Sequence, residues 1–111
     1  MSKWGALQHF KAIEHFDNGI KADPTYFENY MRKAYVLNCI KKYADVVECY
    51  DKAIKHLPNE FEAYYGKAEA LVNLKKYKDA IKEYDKIIKI DPKQTVAKIE
   101  RENCLRDLES K

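Results

Sequence analysis

The side chains with the most capacity for chemistry in this chain are three histidines, three cysteines and a surplus of nine tyrosines. His9 and His15 are six residues apart, which on a helix turns them to different sides, and His56 stands alone. None has a carboxylate or thiol at a spacing that converges on a metal, so no metal site and no cofactor are expected. Cys39, Cys49 and Cys104 are odd in number and form no C-x-x-C pair, which argues against both a disulfide framework and zinc. Gly5, Gly19 and Gly66 are isolated, so no phosphate-cradling loop exists, and no serine or cysteine has an evident general base. No catalytic residue is assigned; the chain reads as a non-enzyme.

The tyrosines could stack on a base or a cofactor, or they could fill a core, and the elements that carry them decide which. With 46% apolar and 35% charged residues in 111, the composition suits one folded domain. Three glycines and three prolines are too few for a sheet protein with many tight turns, which points to an all-α chain. The net charge of +3 comes from 21 basic and 18 acidic residues interleaved along the sequence. That is a solvated surface rather than the concentrated basic field that nucleic acid demands, so no nucleic-acid partner is expected. Residues 1–10 lack a secretory apolar run and no stretch of 18 apolar residues occurs, so no membrane partner is expected and a cytoplasmic location is the default.

The chain repeats itself. Phe27–Glu60 laid over Phe61–Gln94 gives 16 identities in 34 positions without a gap, where chance gives about two or three. Pro24, Pro58 and Pro92 share the same interval, each closing an amphipathic stretch because proline removes a helix donor and disfavours helix in the residue before it. Tyr30, Ala34 and Leu37, then Tyr43, Val47, Tyr50 and Ile54, recur as Tyr64, Ala68 and Leu71, then Tyr77, Ile81, Tyr84 and Ile88. Steps of three and four place them on one face of each of two helices per unit. Lys41-Lys42 and Lys75-Lys76 read as the tight turns between those helices. Small residues at constant phase let neighbouring helices approach, as stacked repeats require.

This pattern resembles the tetratricopeptide repeat, on Tyr30, Ala34, Leu37, Tyr43, Val46, Tyr50, Ala53 and Pro58, and again on Tyr64, Ala68, Leu71, Tyr77, Ala80, Tyr84, Ile87 and Pro92. The resemblance implies an antiparallel helix-hairpin solenoid wound as a right-handed superhelix, in which Tyr43, Tyr50, Tyr77 and Tyr84 are core. Its members bind peptide segments in a concave groove lined by first helices. The positions matching that groove are Glu28, Met31, Arg32, Tyr35 and Asn38, then Glu62, Tyr65, Glu69 and Asn73, with Val96, Ile99, Glu100 and Asn103 from a last helix. Four carboxylates against one arginine favour a basic or apolar peptide. The family's clamp for the EEVD tails of chaperones is not resembled, because its sites hold Met31, Tyr35, Gly66, Val96 and Glu100 here.

The expected division is 1–26 as an N-terminal half repeat, 27–60 and 61–94 as full repeats, and 95–111 as a capping helix with Thr95 as N-cap. Glu102 stands where Ala34 and Ala68 stand earlier, so a further packed helix would bury a carboxylate and the array should stop. At the other end Ser2 to Ala22 reads as one helix with Ser2 as N-cap, and Trp4, Leu7, Phe10, Ile13, Phe16 and Ile20 along one side. Two accounts of that stripe stand together: the helix bends or extends to pack it on its own second repeat or its covering partner lies outside this sequence, or Trp4, Leu7 and Phe10 form an edge for self-association or a partner. The function read from the sequence is a protein-interaction module that holds a peptide or helix. The rival is an assembly unit working through the N-terminal edge.

Overall fold

The computed structural model describes residues 3–110, with side chains from Gly5 onward. The expected N-cap Ser2 and the side chain of Trp4 lie outside the described residues. Among the described residues six helices follow one another: α1 Lys3–Ala22, α2 Phe27–Cys39, α3 Tyr43–His56, α4 Phe61–Asn73, α5 Tyr77–Ile90 and α6 Thr95–Glu109. Each packs on its sequence neighbour, giving an array of 41 × 31 × 17 Å. No strand occurs among the described residues.

Burial follows the repeat. Tyr30, Ala34, Leu37, Val46, Tyr50 and Ala53 form one apolar cluster, and Tyr64, Ala68, Leu71, Ala80, Tyr84 and Ile87 form its counterpart. Val47 and Ile54 of α3 pack against both, so the two clusters share a wall. Ala97 and Cys104 of α6 close the second cluster, and Glu102 is exposed.

Polar devices set the hinges between helices. The Tyr30 hydroxyl donates to the Pro24 carbonyl at 2.7 Å and the Tyr64 hydroxyl to the Pro58 carbonyl at 2.6 Å, latching each proline loop to the helix that follows. Lys98 takes the corresponding place on α6, so the Pro92 loop has no such latch. There Asp91 accepts from the Lys93 backbone N–H at 3.0 Å and from Gln94 at 3.2 Å. The turns inside each hairpin place Lys41 and Lys75 at φ of 59° and 62°, a left-handed conformation that costs a side-chain-bearing residue about 1 kcal/mol.

A third device was not foreseen. Lys33 reaches Asp17 at 2.6 Å, Lys67 reaches Asp51 at 2.7 Å and Arg101 reaches Asp85 at 2.6 Å. Each pair ties the first helix of a unit back to the helix before it, at the 34-residue interval. Lys67 also meets Glu83 at 3.0 Å, a carboxylate only 4% exposed, which Lys86 approaches at 3.3 Å. Burial works to lower the Lys67 ammonium, but Asp51 and Glu83 outweigh it and hold the group above its ordinary value.

Two details differ from expectation. Gln94, not Thr95, occupies the N-cap position of α6, and the Thr95 hydroxyl turns back to the Lys93 carbonyl at 3.4 Å. The α1 stripe also divides, because α2 is the shorter helix: Ile13 and Ile20 join the first cluster, whereas Leu7 is 47% and Phe10 59% exposed.

Candidate peptide groove

The first helices of the units, α2, α4 and α6, contribute one rung each to a common face. At matching positions stand Glu28, Glu62 and Val96; then Met31, Tyr65 and Ile99; then Arg32, Gly66 and Glu100; then Tyr35, Glu69 and Asn103. None of these belongs to the two apolar clusters except Tyr65, which packs at the edge of the second. The rungs therefore differ in chemistry although their backbones repeat.

On α2 the charges cancel locally. Arg32 donates to Glu28 from Nε at 3.1 Å and from Nη2 at 2.6 Å, and the Tyr26 hydroxyl donates to the other Glu28 oxygen at 2.5 Å. The Tyr26 hydrogen bond first, and Arg32 next, hold the Glu28 carboxyl below the usual range. Tyr35 projects from this rung at 70% exposure with Met31 beside it on the surface, and Asn38 is exposed toward the end of the helix.

The α4 rung is acidic and shaped. A hollow of about 570 Å³ is lined by Tyr50, Glu60, Phe61, Glu62, Tyr65 and Gly66, together with Glu69 and Gln94. The Tyr65 hydroxyl donates to Gln94 at 3.0 Å and its ring tilts against Tyr84 at 6.3 Å, which ties the wall of the hollow to the loop before α6. Gly66 opens the floor onto the Tyr50 ring of α3. A Cβ there would stand 2.3 Å from Tyr50 Cε2 and 2.5 Å from Cζ, so only glycine leaves the Tyr50 ring in reach of the groove. Burial pushes the Tyr50 hydroxyl up to about 12, and Cys49, Glu62 and Glu69 add to the shift, so it remains neutral at physiological pH. Asn73 is exposed and is not among the lining residues. On α6, Val96 and Ile99 present exposed apolar surface beside Glu100.

Among the positions expected to face a ligand, Glu62, Tyr65 and Glu69 thus meet in one hollow, while Glu28 and Arg32 bind each other and Tyr35, Asn38 and Asn73 stand apart. Glu60, Phe61, Tyr50 and Gln94 were missed. The first two lie at the start of α4, Tyr50 comes up from the helix beneath, and Gln94 belongs to a loop, so no first-helix pattern includes them. A glycine at a rung position, with an aromatic ring one helix below, is the signal that could have located the floor.

Residues 61–94 match the tetratricopeptide repeat family. Among solved structures, the chain is similar to the first TPR of Spaghetti (RPAP3) bound to the HSP90 peptide SRMEEVD, at 22% identity over 95% of this chain and 83% of that one, with a TM-score of 0.78. The first TPR domain of the human RPAP3 protein gives 22% identity, 96% and 84% coverage and a TM-score of 0.80. The Arabidopsis OM64 TPR domain gives 19%, 91% and 84%, with a TM-score of 0.72. Comparison with curated proteins gave no match.

Proposed function

We propose, from the premise that this chain carries a tetratricopeptide repeat within the fold of tetratricopeptide-repeat domains, that it is an interaction module whose groove holds a basic or apolar segment of a partner protein. The observation that carries this reading is the α4 rung: a hollow with three carboxylates, three aromatic rings and no basic residue in its lining. Such a wall repels an acidic peptide and rewards a cationic one, while Val96, Ile99 and Met31 offer apolar contact on either side. The neighbour bound to SRMEEVD supports peptide binding by a chain of this fold, while its acidic ligand is not the kind that this wall favours.

Two labelled peptides test the reading, SRMEEVD and the charge-reversed SRMKKVK, titrated into the protein at low and moderate salt. The charge-reversed peptide is expected to bind and to weaken about tenfold in the Glu62→Gln/Glu69→Gln variant. Tighter binding of SRMEEVD would overturn the assignment of charge.

A second reading has its own observation. Leu7 and Phe10 are exposed on α1 beside a hollow of about 170 Å³ lined by Ala6, His9, Phe10, Ile40 and Lys42. An assembly role for that edge predicts association that rises with concentration in sedimentation and is lost in Phe10→Ser.

A further inference from the structure

The groove reading leaves open what kind of side chain the α4 hollow receives, and the Tyr50 hydroxyl bears on it. Tyr30 and Tyr64 spend their hydroxyls on proline carbonyls. Tyr50 is 7% exposed and, among the described residues, its hydroxyl has no hydrogen-bond partner. Its oxygen is not sealed off, since the buried orphan atoms among the described residues are His9 Nδ1 and Glu83 Oε2, so a ligand in the hollow can reach it in place of water. Gly66 keeps the path to it open. At the other two matching positions Arg32 and Glu100 carry long side chains, so the opening belongs to this rung alone among the three.

The walls say what enters. Glu60, Glu62 and Glu69 line the hollow, and among the described residues none of their carboxylates has an ion-pair or hydrogen-bond partner. By contrast Glu28 has Arg32 and Tyr26, and Glu83 has Lys67 and Lys86. The site thus offers acceptors on its rim, a hydroxyl oxygen on its floor and the rings of Tyr65, Phe61 and Tyr50 between them. A ligand made of donors and a flat cationic surface satisfies all three. Guanidinium carries five N–H donors and no acceptor, lies flat on aromatic rings and pairs with carboxylates in a fork, whereas an ammonium is a compact, strongly hydrated point charge.

We propose that the hollow at Gly66 is a specificity pocket for an arginine side chain of the bound segment, with the Tyr50 hydroxyl accepting from the guanidinium and Glu62 and Glu69 neutralising it. The proposal rests on the groove reading above and sharpens it to one residue. The rims are carboxylates on α4 and the floor belongs to α3, so the pocket is built by two successive units.

The test uses the intact chain and three end-blocked pentapeptides, Gly-Ser-X-Ser-Gly, with X as arginine, lysine or citrulline, followed by the amide resonance of Gly66 and the ring resonances of Tyr50. Citrulline keeps the planar shape and removes the charge. The arginine peptide is expected to shift both signals and to bind about tenfold more tightly than the citrulline peptide, with lysine between. Tyr50→Phe, which keeps the ring and the fold, should weaken the arginine peptide about threefold while leaving the melting temperature unchanged. Equal binding of arginine and citrulline, or no response at Gly66, would overturn the pocket. If SRMKKVK still binds the Glu62–Glu69 wall in that case, the groove reading survives its loss; if no basic peptide binds anywhere on this face, both fall.

Discussion

Along the seam between units, Asp17–Lys33, Asp51–Lys67 and Asp85–Arg101 make one interaction three times. Across the groove, the same 34-residue interval brings Arg32, Gly66 and Glu100 to one position, and Met31, Tyr65 and Ile99 to another. The seam repeats because each unit meets the next in the same geometry, so the same residues solve the same packing problem. The groove face is constrained by its neighbours only locally, at Gly66 over the Tyr50 ring and at Tyr65 against Tyr84, and its residues do not repeat. The break in the period at these positions is what the proposed groove reading takes as its starting point.

The comparison breaks most sharply at Lys67. Replacing it with methionine leaves Glu83 buried with only Lys86 nearby, and should destabilise the chain by about 2 kcal/mol in a urea titration, since half of a buried ion pair is costly when left behind. Lys33→Met removes the same seam contact where no buried carboxylate stands behind it, and should cost about 0.5 kcal/mol. Equal losses at the two sites would mean that Glu83 is not what sets the central seam apart.

On the groove side, Gly66→Ala sets overpacking against the better helix propensity of alanine. Its methyl meets the Tyr50 ring at 2.3 Å, so a net loss of about 1 kcal/mol is expected, visible as a lower melting temperature. Arg32→Ala, at the matching position on α2, should change stability by less than about 0.5 kcal/mol. A neutral Gly66→Ala would show that the ring under the groove has room to move.

The smallest effect concerns Glu28. Its folded pKa lies below the ordinary 4.5, so the stability it contributes is present above that value and is lost as pH falls through the folded pKa. In a carboxyl NMR titration Glu28 should turn over below the ordinary 4.5, and Tyr26→Phe should bring its midpoint part of the way back, with Arg32 holding the rest. A Glu28 midpoint at the ordinary value in the parent chain would remove the local pairing that makes the α2 rung neutral.

Much of this was legible in the sequence, and unevenly so. The helices, the turns at Lys41 and Lys75, and the burial of Tyr50 and Tyr84 followed from apolar spacing and from the proline interval, because packing imposes both. The seam pairs were equally periodic, yet Asp and Lys are so common that their phase is visible only once the helices are placed side by side. The pocket was harder. Gly66 was read as an isolated glycine, since its meaning lies in a ring 16 residues earlier that only the stacking of α3 under α4 brings beneath it. Thr95 misled because a hydroxyl at a helix start suits a cap, while the chain entered that helix one residue sooner, at Gln94.

Lys98 standing where Tyr30 and Tyr64 stand gives the array one unbolted joint. The first two proline loops are bolted by a tyrosine to the helix that follows, and the third is not. Gln94, the anchor of Tyr65, stands at the head of α6, so one bank of the channel hangs on the joint that lacks the tyrosine bolt.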